Sequence, residues 1–334
     1  MKRWIKLGLM MLGFGGGEMT ASADVSGVSS GPIVIAHRGA SGYRPEHTLM
    51  SYKLGLQMKA DYIEPDLVMT KDGHLVARHD IYLSGTTDIA DHPEFADRKR
   101  KLEGHDDWFV FDFTLNELKT LKAIQPRPKR GDVFDGQESI PTMDEILSLM
   151  KTAKADGSKA GLYIEMKRPT LFQKVGLDPT VALLAMLKEV TDAGIPVYFQ
   201  CFDGAYLNEF VGKTDAELIW LIEGKKDRKS KSYVLEAPLA LYGTNVDGVG
   251  LNKALLVGPE GKPTSIVDDA HALGLDVHVW TIRNDQVPKG IKSVEEELKL
   301  LFSLGVDGVF ADFPDTALQS RDSFMLLKAG PADD

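Results

Sequence analysis

Short apolar runs bounded by turn residues alternate along this chain with segments whose apolar positions recur at helical spacing. Ile33, Val34, Ile35 and Ala36 read as a buried strand, since so short an apolar run between turn residues suits a parallel-sheet core. His37, Arg38 and Gly39 follow at its carboxyl end, and a helix is expected to open near Pro45 with Leu49, Tyr52 and Leu56 on one face. The next strand places Glu64 and Asp66 two residues apart, which period-two geometry puts on one face. Asp72-Gly73 signals a hairpin turn, and Leu75 to Ala77 returns as a strand delivering His79 and Asp80. From Ile81 to about Gln137 the chain is polar and irregular. A stretch that long inside a compact domain is functional or a small subdomain.

Regularity resumes at Thr142, a helix cap followed by an apolar helical pattern to Met150. Principal strands are expected at 33–37, 62–68, 161–167, 197–202, 217–222, 246–251, 276–282 and 307–312, with helices mostly between them, including Val181 to Thr191, Tyr206 to Val211, Ser265 to Leu273 and Ser293 to Leu304. Eight βα units in a chain of this length predict an α/β fold, a TIM (β/α)8 barrel, with Leu75 to His79 as an accessory hairpin strand of the second unit. A doubly wound open sheet is the alternative, but no Gly-rich dinucleotide loop follows the first strand in the required form. In a barrel, polar residues at strand carboxyl ends share one face. His37, Arg38, Glu64, Asp66, Glu165, Lys167, Gln200, Trp280 and Asp312 all fall near such ends.

Composition changes this picture in three ways. The first residues read as a secretory signal peptide, 1–23: MKRWIK is a basic start, LGLMMLGF a short apolar core, and Ala21-Ser22-Ala23 a cleavage site before Asp24. The rest, 24–334, is then the mature barrel domain, and no later run is long and apolar enough for a membrane helix. No cysteine follows the cleavage site to suggest a lipid anchor. The net charge is −10, and removing Lys2, Arg3, Lys6 and Glu18 leaves about −12, which argues against nucleic-acid binding by bulk electrostatics. Any phosphate site must be local. The single cysteine, Cys201, makes no internal disulfide and reads as a buried thiol.

Glu64, Asp66 and Glu165, converging at one barrel end, would repel one another without a cation. They are hard oxygen donors, so the ion expected is Ca²⁺ or Mg²⁺, against the simpler reading that Glu64 and Asp66 pair with Arg38 and Lys167. The three carboxylates, a divalent metal, Arg38, Lys167 and one phosphodiester together sum to zero charge. Arg38 suits a bidentate grip on phosphate and Lys167 a point-charge contact. His37 and His79 are the acid–base candidates, because imidazole near its ordinary pKa can either take or give a proton and the two flank the carboxylate pair. Phe202 and Trp280 stand at later strand ends, as candidates to pack on substrate carbons or as core. His92, His105, His271 and His278 default to surface or packing roles, and the basic run Arg98 to Lys101 to a solvated face.

The ordered set HRG, PEHT, E-P-D and DGHLVARHD, running on to the C-terminal DFPD, resembles the glycerophosphodiester phosphodiesterases, specifically the exported, periplasmic bacterial type. The resemblance runs from about Ile33 nearly to the end of the chain. It implies hydrolysis of glycerophosphodiesters such as glycerophosphocholine or glycerophosphoethanolamine to sn-glycerol 3-phosphate and an alcohol, with His37 taking the proton and His79 donating it. The nucleophile is left open between the glycerol 2-hydroxyl and a metal-bound water. The resemblance further implies an insertion at about 81–140, a periplasmic location and, with the export signal, Ca²⁺ over Mg²⁺. Glu46 would support the site from behind, and His47 marks the subtype. Two other readings compete: a phospholipase D or C type enzyme acting on lysophospholipids, for which no aromatic-apolar surface stretch is visible, and a non-catalytic exported binding protein, which would have lost site residues that are all present.

Overall fold

The structure is a computed structural model that describes residues 31–243, 245–258 and 262–329. The expected signal peptide, 1–23, lies outside the described residues. Eight parallel positions close into a barrel. In order around the ring they are Tyr62–Glu64, Ile33–His37, Gly308–Ala311, Asp276–Ile282, Gly248–Asn252, Glu217–Ile222, Val197–Cys201 and Gly161–Met166, and the ring is completed where Tyr62–Glu64 pairs with Gly161–Met166. The expected (β/α)8 architecture is therefore the observed one. Among the described residues, no helix is long and apolar enough to cross a membrane.

The second strand departs from the continuous 62–68 expected. It breaks at Pro65, which has no amide proton for a ladder, into Tyr62–Glu64 and Asp66–Met69. Register survives the break, because the Pro65 carbonyl accepts from the Glu165 amide at 3.0 Å and Asp66 stands beside Glu165. Asp66–Met69 then turns through Thr70–His74 and pairs antiparallel with Leu75–Ala77, as the Asp72-Gly73 signal indicated.

The first helix also differs from expectation. It spans Leu49–Gln57, with Thr48 accepting from the Ser51 amide as its cap, so Pro45 lies in the preceding loop. Its buried face is Ser51, Tyr52 and Gly55, with Leu49 and Leu56 only half-buried. Small residues are required there because the loop Gly39–Ala40 packs onto the helix: a Cβ on Gly39 would meet Ser51 Oγ at 2.4 Å. By contrast the helix Met143–Ala155 starts where the sequence placed it. Thr142 and Glu145 form a reciprocal capping box, and Ile146, Leu147 and Met150 face the core.

Between Ala77 and Thr142 the chain leaves the barrel. It builds short 3-10 turns, the hairpin Arg100–Leu102/His105–Asp107 and the one-turn helix Leu115–Leu118, over a core containing Phe95, Trp108, Phe109 and Phe113. Arg98 pairs with Glu117 and Arg100 with Asp112 at its surface. Inside the barrel, Ile35, Tyr163, Ile219 and Phe310 form a packed plug, so the strands enclose side chains rather than a channel. The site above it has an apolar floor.

Candidate active site

The nine residues given catalytic, phosphate, metal or substrate roles from the sequence, His37, Arg38, Glu64, Asp66, His79, Glu165, Lys167, Phe202 and Trp280, all line one cavity of about 330 Å³ at the carboxyl ends of the strands. A larger groove, about 740 Å³, continues past His79 along Tyr82, Glu103 and Arg168, and shares His79, Glu165, Lys167 and Phe202 with the first.

Glu64, Asp66 and Glu165 are buried, and one carboxylate oxygen from each lies within 4.8 Å of the others. Burial pushes Glu64 well above the usual carboxylate range, reinforced by Asp66, and pushes Glu165 up to about 8. Burial also acts on Asp66, but the Lys167 charge and a hydrogen bond from His47 outweigh it and hold Asp66 well below that range. Asp66 Oδ1 is buried with no hydrogen bond. A buried, all-oxygen cluster in which burial and mutual repulsion oppose three carboxylate charges, and one oxygen is bare, fits a hard divalent cation. The opposing reading, plain ion pairing, holds only in part: Lys167 Nζ is 2.8 Å from Glu165 and Arg38 Nε is 3.5 Å from Asp66, while Glu64 receives the Arg38 backbone amide at 2.6 Å and not its side chain.

That amide reaches Glu64 because Arg38 adopts a left-handed conformation, φ 59°. The turn brings Arg38 inward although it follows His37 directly, and Nη1 is gripped by both oxygens of Glu46, at 2.9 and 3.0 Å. His47, also left-handed at φ 55°, joins two elements: Nε2 is 3.0 Å from Asp66 and Nδ1 is 2.8 Å from the Tyr52 hydroxyl. An ionised Asp66 only accepts, so His47 donates from Nε2 and accepts a hydrogen bond from the Tyr52 hydroxyl at Nδ1.

The two remaining histidines are each held by a carboxylate of their own. His37 Nδ1 is 2.6 Å from Asp312 Oδ1, and His79 Nδ1 is 2.7 Å from Asp80. Burial would raise Asp312, but the His37 bond and the Arg283 and Arg130 charges hold it far below the carboxylate range. It is ionised, so His37 donates from Nδ1 and keeps Nε2 as a bare acceptor. Burial and the Arg38 charge lower His37 to about 4 against the pull of Asp312, so the ring is neutral near pH 7. His79 is lowered by burial, Arg38 and Lys167, with Asp80 opposing. Phe202 and Trp280 meet edge to face at 5.7 Å, and Phe202 is 42% exposed, an apolar wall in a charged mouth.

The sequence reading gave no role to Asp312, Asp80, Arg130 or Arg283. Asp312 and Asp80 carried a signal, one ending a barrel strand and the other adjoining His79. Arg130 carried none, because its approach to Asp312 spans 182 residues. Gln200, noted only as a strand-end residue, donates to Glu64 at 3.4 Å and keeps a buried, unpartnered Oε1. Cys201 is a buried thiol whose pKa burial pushes up, as expected of a packing residue.

Residues 37–316 match the glycerophosphoryl diester phosphodiesterase family. The chain belongs to that family. It is an enzyme of this class, a phosphoric diester hydrolase. Full-length relatives agree: the glycerophosphodiester phosphodiesterase of Haemophilus influenzae is 33% identical, over 94% of this chain and 97% of the relative. One from Arabidopsis thaliana is 33% identical over 85% and 84%. Among solved structures, an Oleispira antarctica phosphodiesterase in complex with the product sn-glycerol-3-phosphate shares the fold, with TM-score 0.63 and 24% identity, over 87% of this chain and 97% of that one.

Proposed function

We propose that the enzyme hydrolyses small, soluble glycerophosphodiesters such as glycerophosphocholine and glycerophosphoethanolamine, releasing sn-glycerol 3-phosphate and the free alcohol, and that it depends on Ca²⁺. The observation that carries this reading is two imidazoles, each fixed through Nδ1 by its own carboxylate, in one cavity with three clustered acids and two cations. Glu64, Asp66 and Glu165 would hold a divalent cation, which would supply Lewis-acid polarisation of a phosphoryl oxygen. Lys167 and Arg38 contribute positive charge for the phosphate, and Glu46 keeps Arg38 oriented. His37 accepts the proton of the attacking hydroxyl at Nε2, and His79, whose charged form Asp80 and the bound phosphodiester anion favour against burial, Arg38 and Lys167, gives one to the departing alcohol as the phosphorus–oxygen bond breaks. Attack by the glycerol 2-hydroxyl expels the alcohol and leaves a cyclic phosphate that water then opens to sn-glycerol 3-phosphate, whereas attack by water gives it directly, so a cyclic ester among the early products separates the two routes. The glycerol end fits against Phe202 and Trp280, and the alcohol fits the wider groove beyond His79.

The charged lining favours a polar alcohol over an acyl chain, and so favours glycerophosphocholine over lysophosphatidylcholine. The amino-terminal sequence supports export and a periplasmic site of action after cleavage following Ala23. The deciding experiment compares turnover of glycerophosphocholine and lysophosphatidylcholine before and after chelation, with Ca²⁺ or Mg²⁺ restored. Chelation is expected to abolish turnover and Ca²⁺ to restore it. Full activity in His37→Ala or Glu64→Ala would end this assignment, and preference for the lysolipid would reassign the substrate.

A further inference from the structure

We propose that Arg130, carried by the segment outside the barrel, is a positioning residue for His37 and acts through Asp312. The inference rests on His37 being the proton acceptor, as proposed above. Arg130 ends the short turn Pro128–Arg130, yet its side chain is only 4% exposed. Its guanidinium is divided among three acceptors. Nη2 donates to Asp312 Oδ2 at 2.6 Å and to Asp285 Oδ1 at 3.0 Å, Nε donates to Asp285 Oδ2 at 2.8 Å, and Nη1 donates to the Ser41 carbonyl at 3.1 Å.

Two routes lead from these bonds to one imidazole. Arg130 and Arg283, the latter at 2.9 Å, both hold Asp312 Oδ2, so the carboxylate cannot swing and Oδ1 stays aimed at His37 Nδ1. Ser41, whose carbonyl Arg130 holds, donates its hydroxyl to the His37 carbonyl at 2.8 Å. A planar fork with fixed directions can serve Asp312, Asp285 and Ser41 at once, which an ammonium cannot. Arg130 does not line the cavity, whereas Arg283 does, so the part assigned to Arg130 is to orient and not to touch substrate. The segment between Ala77 and Thr142 thereby completes the His37 half of the site from outside the barrel.

The test uses the full Ca²⁺-loaded enzyme and glycerophosphocholine, comparing wild type, Arg130→Met and Arg130→Lys. Arg130→Met is expected to lower kcat by about tenfold or more, a share of what a placed imidazole contributes. KM should stay within about twofold, and Arg130→Lys should fall between Met and wild type because it keeps charge but not the fork. A readout independent of turnover is the exchange-protected imidazole proton on His37 Nδ1, assigned by its loss in His37→Gln. That proton resonance should broaden or move in Arg130→Met. Wild-type kcat with an unchanged resonance would overturn the proposal, as would kcat and KM shifting together in step with lost stability. Should Arg130→Met not fold, Arg130→Lys carries both readouts. A wild type inactive on glycerophosphocholine would refute the substrate reading, while the resonance still decides the role of Arg130.

Discussion

His278 is buried at the centre of the barrel with Nδ1 2.7 Å from the Tyr163 hydroxyl, and burial lowers its pKa from 6.5 to about 4. Between those values the unfolded chain binds a proton that the folded chain refuses. Stability therefore rises with pH through this window and is lost as pH falls from 6.5 towards 4. His278 contributes roughly 2 kcal/mol of that loss between pH 7 and 5. Urea denaturation of His278→Gln should show a correspondingly shallower pH dependence than wild type over the same range; parallel curves would refute it. His37, neutral for the same reason, acts in the same sense. Sequence left His278 with surface or packing roles alike, because which histidines stay neutral depends on how deeply each is buried, and no spacing rule supplies that.

At the level of elements, boundaries were legible where side chain and backbone compete locally. The Thr142–Glu145 box is such a case, and it sets the helix that leads into the strand bearing Glu165. Thr142→Ala removes the Oγ1 bond to the Glu145 amide at 3.1 Å and should cost about 1 kcal/mol. Differential scanning calorimetry should then show Tm lower by roughly 1–2 °C, with kcat unchanged. The first helix was misplaced because Pro45 carries a generic first-turn signal, whereas the true cap, Thr48, accepts from the Ser51 amide with no Glu or Gln three residues on to mark it. Pro65 was overlooked as a strand break because alternation across it still puts both acids in the mouth.

For the whole molecule, the plug beneath the site and the acids above it are the two large terms. Phe310 packs on Tyr163 at 4.8 Å and lies edge-on to His37 at 6.4 Å. Phe310→Ala should cost about 3–5 kcal/mol in denaturant midpoint analysis and lower kcat as well, because the floor beneath His37 is lost. Cation binding should stabilise the fold by mass action, about 4 kcal/mol at a thousandfold excess over Kd. Thermal melts with and without Ca²⁺ should show this gain in wild type and little or none in Asp66→Asn; an equal gain in both would remove Asp66 from the ligand set.

The chain by itself determined the eight-unit repeat and the all-oxygen donor set, and it pointed to nine of the residues that line the cavity, since these follow from period, turn chemistry and donor type read over a few neighbouring positions. Tertiary structure alone decided that Asp312 holds His37, and that Arg130 reaches Asp312 from outside the barrel. Those pairings join residues far apart in sequence, and they exist only after the ring of strands has closed and the segment between Ala77 and Thr142 has folded against its mouth.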